Sequence, residues 1–400
     1  MLPAREVLAL HRALVEVPSV SGEEDAVADL VEGRLRRYGL APLRLGNTLL
    51  VLAGGATDEP RPVLLLDTHL DTVPPAPGWT RDPWSAAVED GRVYGLGAND
   101  AKAAAAAMTA ACLAFRNVEL PFTLALALVE GEETRGTGTQ AVLAELARRG
   151  LPLEGAVIGE PTGLDLALAQ KGLLVLELVA RGDACHAAHA AALGAANAAR
   201  RLARDLVALE GIDFGPPHER LGAITLEPTE VRAGTARNVV PGEATAVLDV
   251  RTTPALPGAE VVHRVERAVA SEVRVLSDRL RPRETAVDAA LVEAGRRARP
   301  EARLVGSPTL SDMALLDGVP AVKCGPGRSE RSHTPDEYVL ESEVLDGARF
   351  YTRLIGAYAE VREEERERGA AAAAHEPVVE VGMGRAPGAC GARPRREEEA

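Results

Sequence analysis

Apolar residues recur at helical spacing through residues 4–39: Leu8, Leu10, Leu14 and Val15, then, beyond Pro18-Ser-Val-Ser-Gly22, Ala26, Val27, Leu30, Val31 and Leu35. The pattern predicts two helices, the second starting at the capping-box sequence Ser21-Gly-Glu-Glu24. The texture then changes to short, continuous apolar runs at Leu49–Ala53, Pro62–Asp67, Thr123–Val129 and Gly155–Ile158. Such runs suit strands buried on both faces. Helical stretches at Ala101–Phe115 and Gly138–Arg149 separate them, and this alternation predicts an α/β layer around a mixed, largely parallel sheet.

From Lys171 the pattern alternates instead. Leu173–Ala180, Ala223–Pro228, Ala244–Arg251 and Glu272–Leu276 read as strands, with helices over Ala187–Leu209 and about 258–271. The order β-α-β-β-α-β is the ferredoxin-like unit. It divides the chain into a main domain in two parts, 1–170 and 284–365, and an inserted domain at 171–283. Helices over Ala289–Arg299 and Glu343–Tyr358 are expected to close the main domain. Residues 366–400, Glu/Arg-rich, then Ala-rich, then Gly/Pro/Arg-rich, are expected to form a disordered tail.

A chain of 400 residues is long enough for two domains and a large core. The net charge is −14, and positive charge is almost all arginine, with lysine only at 102, 171 and 323. An acidic chain without a basic cluster argues against a nucleic-acid partner. Cys112, Cys185, Cys324 and Cys390 form no Cys-x-x-Cys pair and read as reduced thiols of a cytosolic protein. The N-terminus has no basic segment leading an apolar one, and the Ala-rich run at 103–115 falls short of the roughly 20 residues that span a bilayer. A soluble, cytoplasmic protein without a membrane partner is expected.

Five segments place acidic or imidazole side chains at loop positions, several of them just past strand ends. They are Asp67-Thr-His69-Leu-Asp71, Gly95-Leu-Gly-Ala-Asn-Asp100, Glu130-Gly-Glu132-Glu133, Gly159-Glu160-Pro-Thr162 and Ser332-His333-Thr-Pro-Asp-Glu337. Each has a plain alternative: a polar turn for His69/Asp71, an N-cap for Asp100, a solvated face for Glu132-Glu133, a turn for Glu160 and a loop for His333. Together they supply two imidazoles, a bridging carboxylate, a terminal carboxylate for each metal and a free base, the inventory of a two-metal hydrolase. Sites of open α/β sheets form beyond the carboxyl ends of the strands, where these residues fall.

With these motifs, the chain resembles the M20 metallopeptidases and amidohydrolases from about Pro18 to Tyr358. The resemblance implies a zinc-exopeptidase-like catalytic domain carrying an inserted lid that also serves dimerisation. It implies two zinc ions, with cobalt as an alternative. His69 and Glu160 would bind one metal, Glu133 and His333 the other, and Asp100 both. Asp71 would orient His69, and Glu132 would be the general acid/base. Gly182-Asp-Ala-Cys-His186 resembles the family segment whose histidine reaches the substrate carbonyl across a homodimer, although His189-Ala190 stands where Arg-Pro is usual. Without the family, His186 and His189 read as exposed residues of a helix start. Asn238, Arg251 and Gly325 resemble substrate-binding positions. The plain alternatives are a strand salt bridge for Asp249/Arg251 and a turn at Lys323–Gly327. Within the family, residues 78–102, Ser311-Asp312-Met and 327–338 look most like acetylornithine deacetylases. The implied reaction is deacylation of a small N-acyl amino acid such as N-acetylornithine, in arginine biosynthesis. Succinyl-diaminopimelate desuccinylase, acetyl-lysine or acetylcitrulline deacetylase, dipeptidase and a noncatalytic metal-binding scaffold are the alternatives.

Overall fold

The computed structural model describes residues 2–54 and 61–374, with side chains to residue 370. The chain divides into the compact units Met1–Arg362 and Glu363–Ala400. In the first, the main sheet runs in the order Leu43–Leu45, Thr48–Ala53, Thr123–Val129, Val63–His69, Leu153–Ile158, Ala321–Lys323, Leu166–Gln170, Arg283–Glu284, with Leu304–Ser307 also paired to Leu166–Gln170. Val63–His69 is parallel to both Thr123–Val129 and Leu153–Ile158, which is in turn parallel to Ala321–Lys323. In this register His69 lies beside Val129, and Asp67 beside Ile158. The carboxyl ends of these central strands therefore open on one edge.

The continuous apolar runs are explained by cover on both faces. Leu64 and Leu66 point into the larger core with Leu124 and Leu126, whereas Val63 and Leu65 point into a second core with Ala125 and Ala127. The Ala-rich helix Lys102–Phe115 is buried from Lys102 through Leu113. Its small side chains, rather than an amphipathic stripe, fit it into the larger core.

A separate antiparallel sheet has the order Thr225–Ala233, Glu243–Thr252, Gly172–Arg181, Glu272–Leu280. Second, third, first, fourth is the ferredoxin-like order expected. Helices Ala198–Leu209 and Gly258–Ala268 bury Leu202, Val261 and Val265 against Leu174, Leu176 and Leu178. The chain enters and leaves this sheet at one place: a Cβ on Gly172 would lie 2.5 Å from Pro282 Cδ and 2.6 Å from Thr252 Oγ1. Only glycine allows that approach.

Three expectations are corrected. The long helix over 187–209 is a 3₁₀ turn, Ala187–His189, then Ala190–Leu193 and Ala198–Leu209. Gly194, at φ 61°, ends one piece, and the Asn197 side chain caps the next by accepting from Arg200 N–H. The capping box does not form, because Glu24 occupies the cap of Asp25–Arg37 and Ser21 donates to Asp71 Oδ2 at 2.7 Å. The last helix, Glu341–Ala374, runs past position 366, where the tail was expected to begin. The rest of that expected tail, 375–400, lies outside the described residues, as does Cys390. No helix among the described residues is long and apolar enough to cross a membrane.

Candidate metal centre

The segments converge as their strand positions require. His69 ends its strand, and its Nε2 lies 3.2 Å from Asp100 Oδ1 and 3.5 Å from Glu160 Oε1. The other oxygen of Asp100 faces His333 Nε2 at 3.8 Å, and that nitrogen lies 2.8 Å from Glu133 Oε1. Asp100 thus stands between the two imidazoles, one oxygen toward each. It does not cap the helix that follows: the N-cap is Ala101, without a side-chain hydrogen bond. His333 reaches its place with φ at 60°, a left-handed conformation uncommon for a side-chain-bearing residue.

Ligand atoms lie within 4.8 Å of one another in two groups, His69/Glu132/Glu160 and His69/Asp100/Glu133. The member common to both is His69, where the sequence resemblance made Asp100 the shared residue. The carboxylates of Asp71, Asp100, Glu132, Glu133, Glu160 and Glu337 crowd this one edge. Burial and the nearby charge of Glu160 push the Glu132 carboxyl well above the usual range. Burial and Asp100 raise Glu160 to about 7, against the opposing pull of Lys323. The hydrogen bond to Glu133 raises His333 to about 9. Buried negative charge of this density calls for a cation, and imidazole nitrogen with carboxylate oxygen is a donor set suited to zinc. The residues present fit a two-metal centre.

Asp71 lies beside His69 Nδ1 and also holds the neighbouring turn. The nearest acceptor to His69 Nδ1 is its backbone oxygen at 2.9 Å, with carboxylate Oδ1 at 3.6 Å. The carboxylate also receives the backbone N–H groups of Glu132 and Glu133, at 3.1 and 3.2 Å. From its N-cap position Glu24 takes the N–H of Gly131 at 3.2 Å. The turn presenting Glu132 and Glu133 is therefore braced by acceptors at each of three successive amides.

The lid positions stand apart from this cluster. His186 is exposed, accepts the Ala188 N–H on Nδ1 and lies tilted against His189, with ring centroids 5.6 Å and planes 50° apart. It belongs to neither ligand group. The short strand Cys185–His186 pairs with Val239–Val240, and Asn238 O accepts the Ala187 N–H at 2.9 Å, so Asn238 and His186 are neighbours. Arg251 grips Asp249 with Nε and Nη2 at 2.8 and 3.0 Å, the strand salt bridge held open as its alternative. Gly325 donates its N–H to Thr162 Oγ1 at 3.2 Å, and a Cβ there would lie 2.6 Å from Glu160 O. It packs behind Glu160.

Several residues without an assigned role are built into the site. Glu337 Oε1 accepts the N–H groups of Asn99 and Asp100 at 2.8 and 3.0 Å. Its Oε2 is buried without a partner, and burial with Asp100 nearby raises the group to about 8. Lys102 is buried and donates to Val17 O at 3.1 Å; burial lowers it to about 7. Beneath the strand ends, Thr139 Oγ1 sits 2.9 Å from Asp67 Oδ2 and 2.7 Å from Asp312 Oδ2. Lys323 Nζ lies 3.7 Å from Glu160 Oε2. Glu337 shares a motif with His333, and Lys323 immediately precedes the Cys324–Gly327 turn, but spacing alone could not reveal what they touch.

The family model described as Peptidase family M20/M25/M40 matches residues 65–357. The chain belongs to this family. Among its curated M20 relatives, the succinyl-diaminopimelate desuccinylase of Methylobacterium radiotolerans is 32% identical over 389 residues, 88% of this chain and 96% of the relative. The enzyme of that name from Bordetella pertussis is 34% identical over 273 residues, 64% of this chain and 70% of the relative. Solved M20-like folds agree. Aminopeptidase PepT from Bacillus cereus superposes with a TM-score of 0.72 at 20% identity, over 90% of this chain and 99% of that one. The YXEP protein of Bacillus subtilis, described as a dinuclear metal binding peptidase from the M20 family, gives 0.67 at 17%, over 90% and 98%. This M20 chain is a metal-dependent hydrolase acting on amides.

Proposed function

We propose that this M20 protein is a two-metal amidohydrolase that removes the succinyl group from an N-succinylated diamino acid, with N-succinyl-diaminopimelate as its substrate. The observation that carries the two-metal part is the position of Asp100, one oxygen toward His69 and the other toward His333. The acyl group rests on the names of relatives that align over most of the chain. They favour succinyl over the acetyl group that the sequence motifs suggested, and a lysine-pathway over an arginine-pathway substrate.

In this reading His69, Asp100 and Glu160 hold one ion, and Asp100, Glu133 and His333 the other, zinc being the expected metal and cobalt an alternative. Ions held there would supply polarisation of the amide carbonyl and activation of water at neutral pH. Glu132 takes the proton from the attacking water and delivers it to the departing amine. A carboxyl raised by burial suits both halves of that transfer. Asp71 keeps Glu132 in place through the backbone. His186, outside the cluster of its own chain, stabilises the developing oxyanion from a second copy in a cytoplasmic homodimer. Asn238 and Arg251 anchor the substrate's free carboxylate, Arg251 exchanging Asp249 for it.

The test is a panel of N-succinyl-diaminopimelate, N-acetylornithine, acetyl-lysine, acetylcitrulline and a dipeptide, assayed with zinc-loaded protein whose metal content is measured. The highest kcat/KM is expected for the succinyl substrate. A preference for N-acetylornithine would restore the deacetylase reading, and full metal content with no hydrolysis would point to a binding scaffold.

A further inference from the structure

Against 42 arginines, the 45 basic residues include only three lysines, at 102, 171 and 323. All three are buried, at 0%, 9% and 2% exposure. Where charge faces solvent this chain uses arginine. Lysine appears where a compact ammonium on a narrow stem has to be enclosed, and a planar guanidinium with five donors makes a different demand on the walls.

Lys323 is the one of the three placed against a candidate ligand. Its strand, Ala321–Lys323, lies parallel to Leu153–Ile158, whose end leads to Glu160. The ammonium donates to Ser307 Oγ at 3.2 Å, Thr309 Oγ1 at 2.9 Å and Leu310 O at 3.3 Å, and faces Glu160 Oε2 at 3.7 Å. Acceptors from residues 307–310 fix the cation from behind. The two oxygens of Glu160 consequently see different partners, Oε2 the ammonium and Oε1 His69 Nε2 at 3.5 Å.

We infer that Lys323 is a positioning residue that limits Glu160 to one-oxygen metal ligation, keeping a coordination position free for the reacting groups. The inference rests on the proposed role of Glu160 as a ligand. A carboxylate can bind a metal through one oxygen or two, and the second mode fills a place that substrate or water must use. An ammonium held 3.7 Å from the far oxygen opposes that rotation by charge pairing and by repelling a cation drawn toward both oxygens. The effect is on open coordination rather than on affinity, which separates this role from that of an ordinary ligand support.

The test replaces the ammonium with an apolar chain of similar length, Lys323→Met. Metal content and affinity, read by chelator competition, are expected to be unchanged or tighter, while kcat falls about 10- to 100-fold, the usual range for losing a partner of a metal ligand. With cobalt loaded, the visible absorption of the variant is expected to shift, reporting changed coordination. Thr309→Val, at an exposed position, removes one anchor while leaving the ammonium. It is expected to give a smaller fall of the same kind, and it serves if Lys323→Met does not fold. Weaker metal binding in either variant, or unchanged kcat and cobalt spectrum in Lys323→Met, would overturn the inference. Glu160→Ala tests the underlying reading separately: full metal content in that variant would remove Glu160 as a ligand, whatever Lys323 does.

Discussion

The carboxylate of Glu337 accepts the backbone N–H of Asp100 at 3.0 Å, joining the segment that carries His333 to the one that carries Asp100. Two candidate ligands far apart in sequence are thereby fixed by one buried side chain. Glu337→Ala is expected to weaken metal binding about 10- to 100-fold. Glu337→Gln, which keeps a carbonyl oxygen to receive the Asn99 and Asp100 N–H groups, should retain most of it. Chelator competition on both variants checks this. An equal loss in the two would assign the role to the charge rather than to the acceptor.

Glu132 and Glu133 share a turn but face different duties. Glu133 contacts His333 at 2.8 Å, whereas burial and the charge of Glu160 raise the Glu132 carboxyl. Glu132→Ala should keep two metals and lose roughly 10²- to 10⁴-fold in turnover. Glu133→Ala should lose metal as well. Elemental analysis alongside activity distinguishes them, and two bound metals in Glu133→Ala would contradict its assignment.

His186 is exposed on the short strand Cys185–His186, apart from the ligand groups of its own chain. If it serves a neighbouring copy, mixing inactive His186→Ala with inactive Glu132→Ala protein should restore part of the activity through hybrid dimers. Subunit exchange would be confirmed by mass. Exchange without recovery would return His186 to a packing role.

His11 predicts a specific loss of stability in acid. It is buried, with Nε2 against Ala98 O at 2.8 Å and Nδ1 unpartnered, and burial lowers its pKa to about 4. The unfolded chain takes up this proton near pH 6.5 and the folded one only near 4, so its contribution is complete above about 6.5. It is lost progressively as pH falls from there to about 4, on the order of 3 kcal/mol in all. Urea unfolding of the wild type between pH 7 and 5 should show the slope, and His11→Gln should flatten it. An unchanged slope in the variant would place the effect on other groups.

The main strands were legible because continuous apolar runs such as Pro62–Asp67 match strands covered on both faces. The metal-type residues were legible because they follow those runs. Leu166–Gln170 and Leu304–Ser307 were missed: each is only four or five residues long, and their pairing joins segments far apart in the chain. The local pattern permits Ser21 as a cap, but Asp71 offers a better acceptor from fifty residues away. The Arg251 motif carried a family expectation, while the adjacent in-strand partner Asp249 takes two of its donors. Local periodicity specifies elements; which polar groups meet across them depends on the assembled edge.

Thr139 has one hydroxyl hydrogen and two carboxylate neighbours, Asp67 and Asp312, both within hydrogen-bonding distance. It can donate to only one of them, so the other contact requires a carboxylic acid that donates back. Burial raises both groups, Asp312 to about 6. The layer beneath the metal-type residues is therefore expected to hold one proton between these two acids. An infrared difference spectrum between wild type and Thr139→Val would see that stored hydrogen as a protonated-carboxyl band.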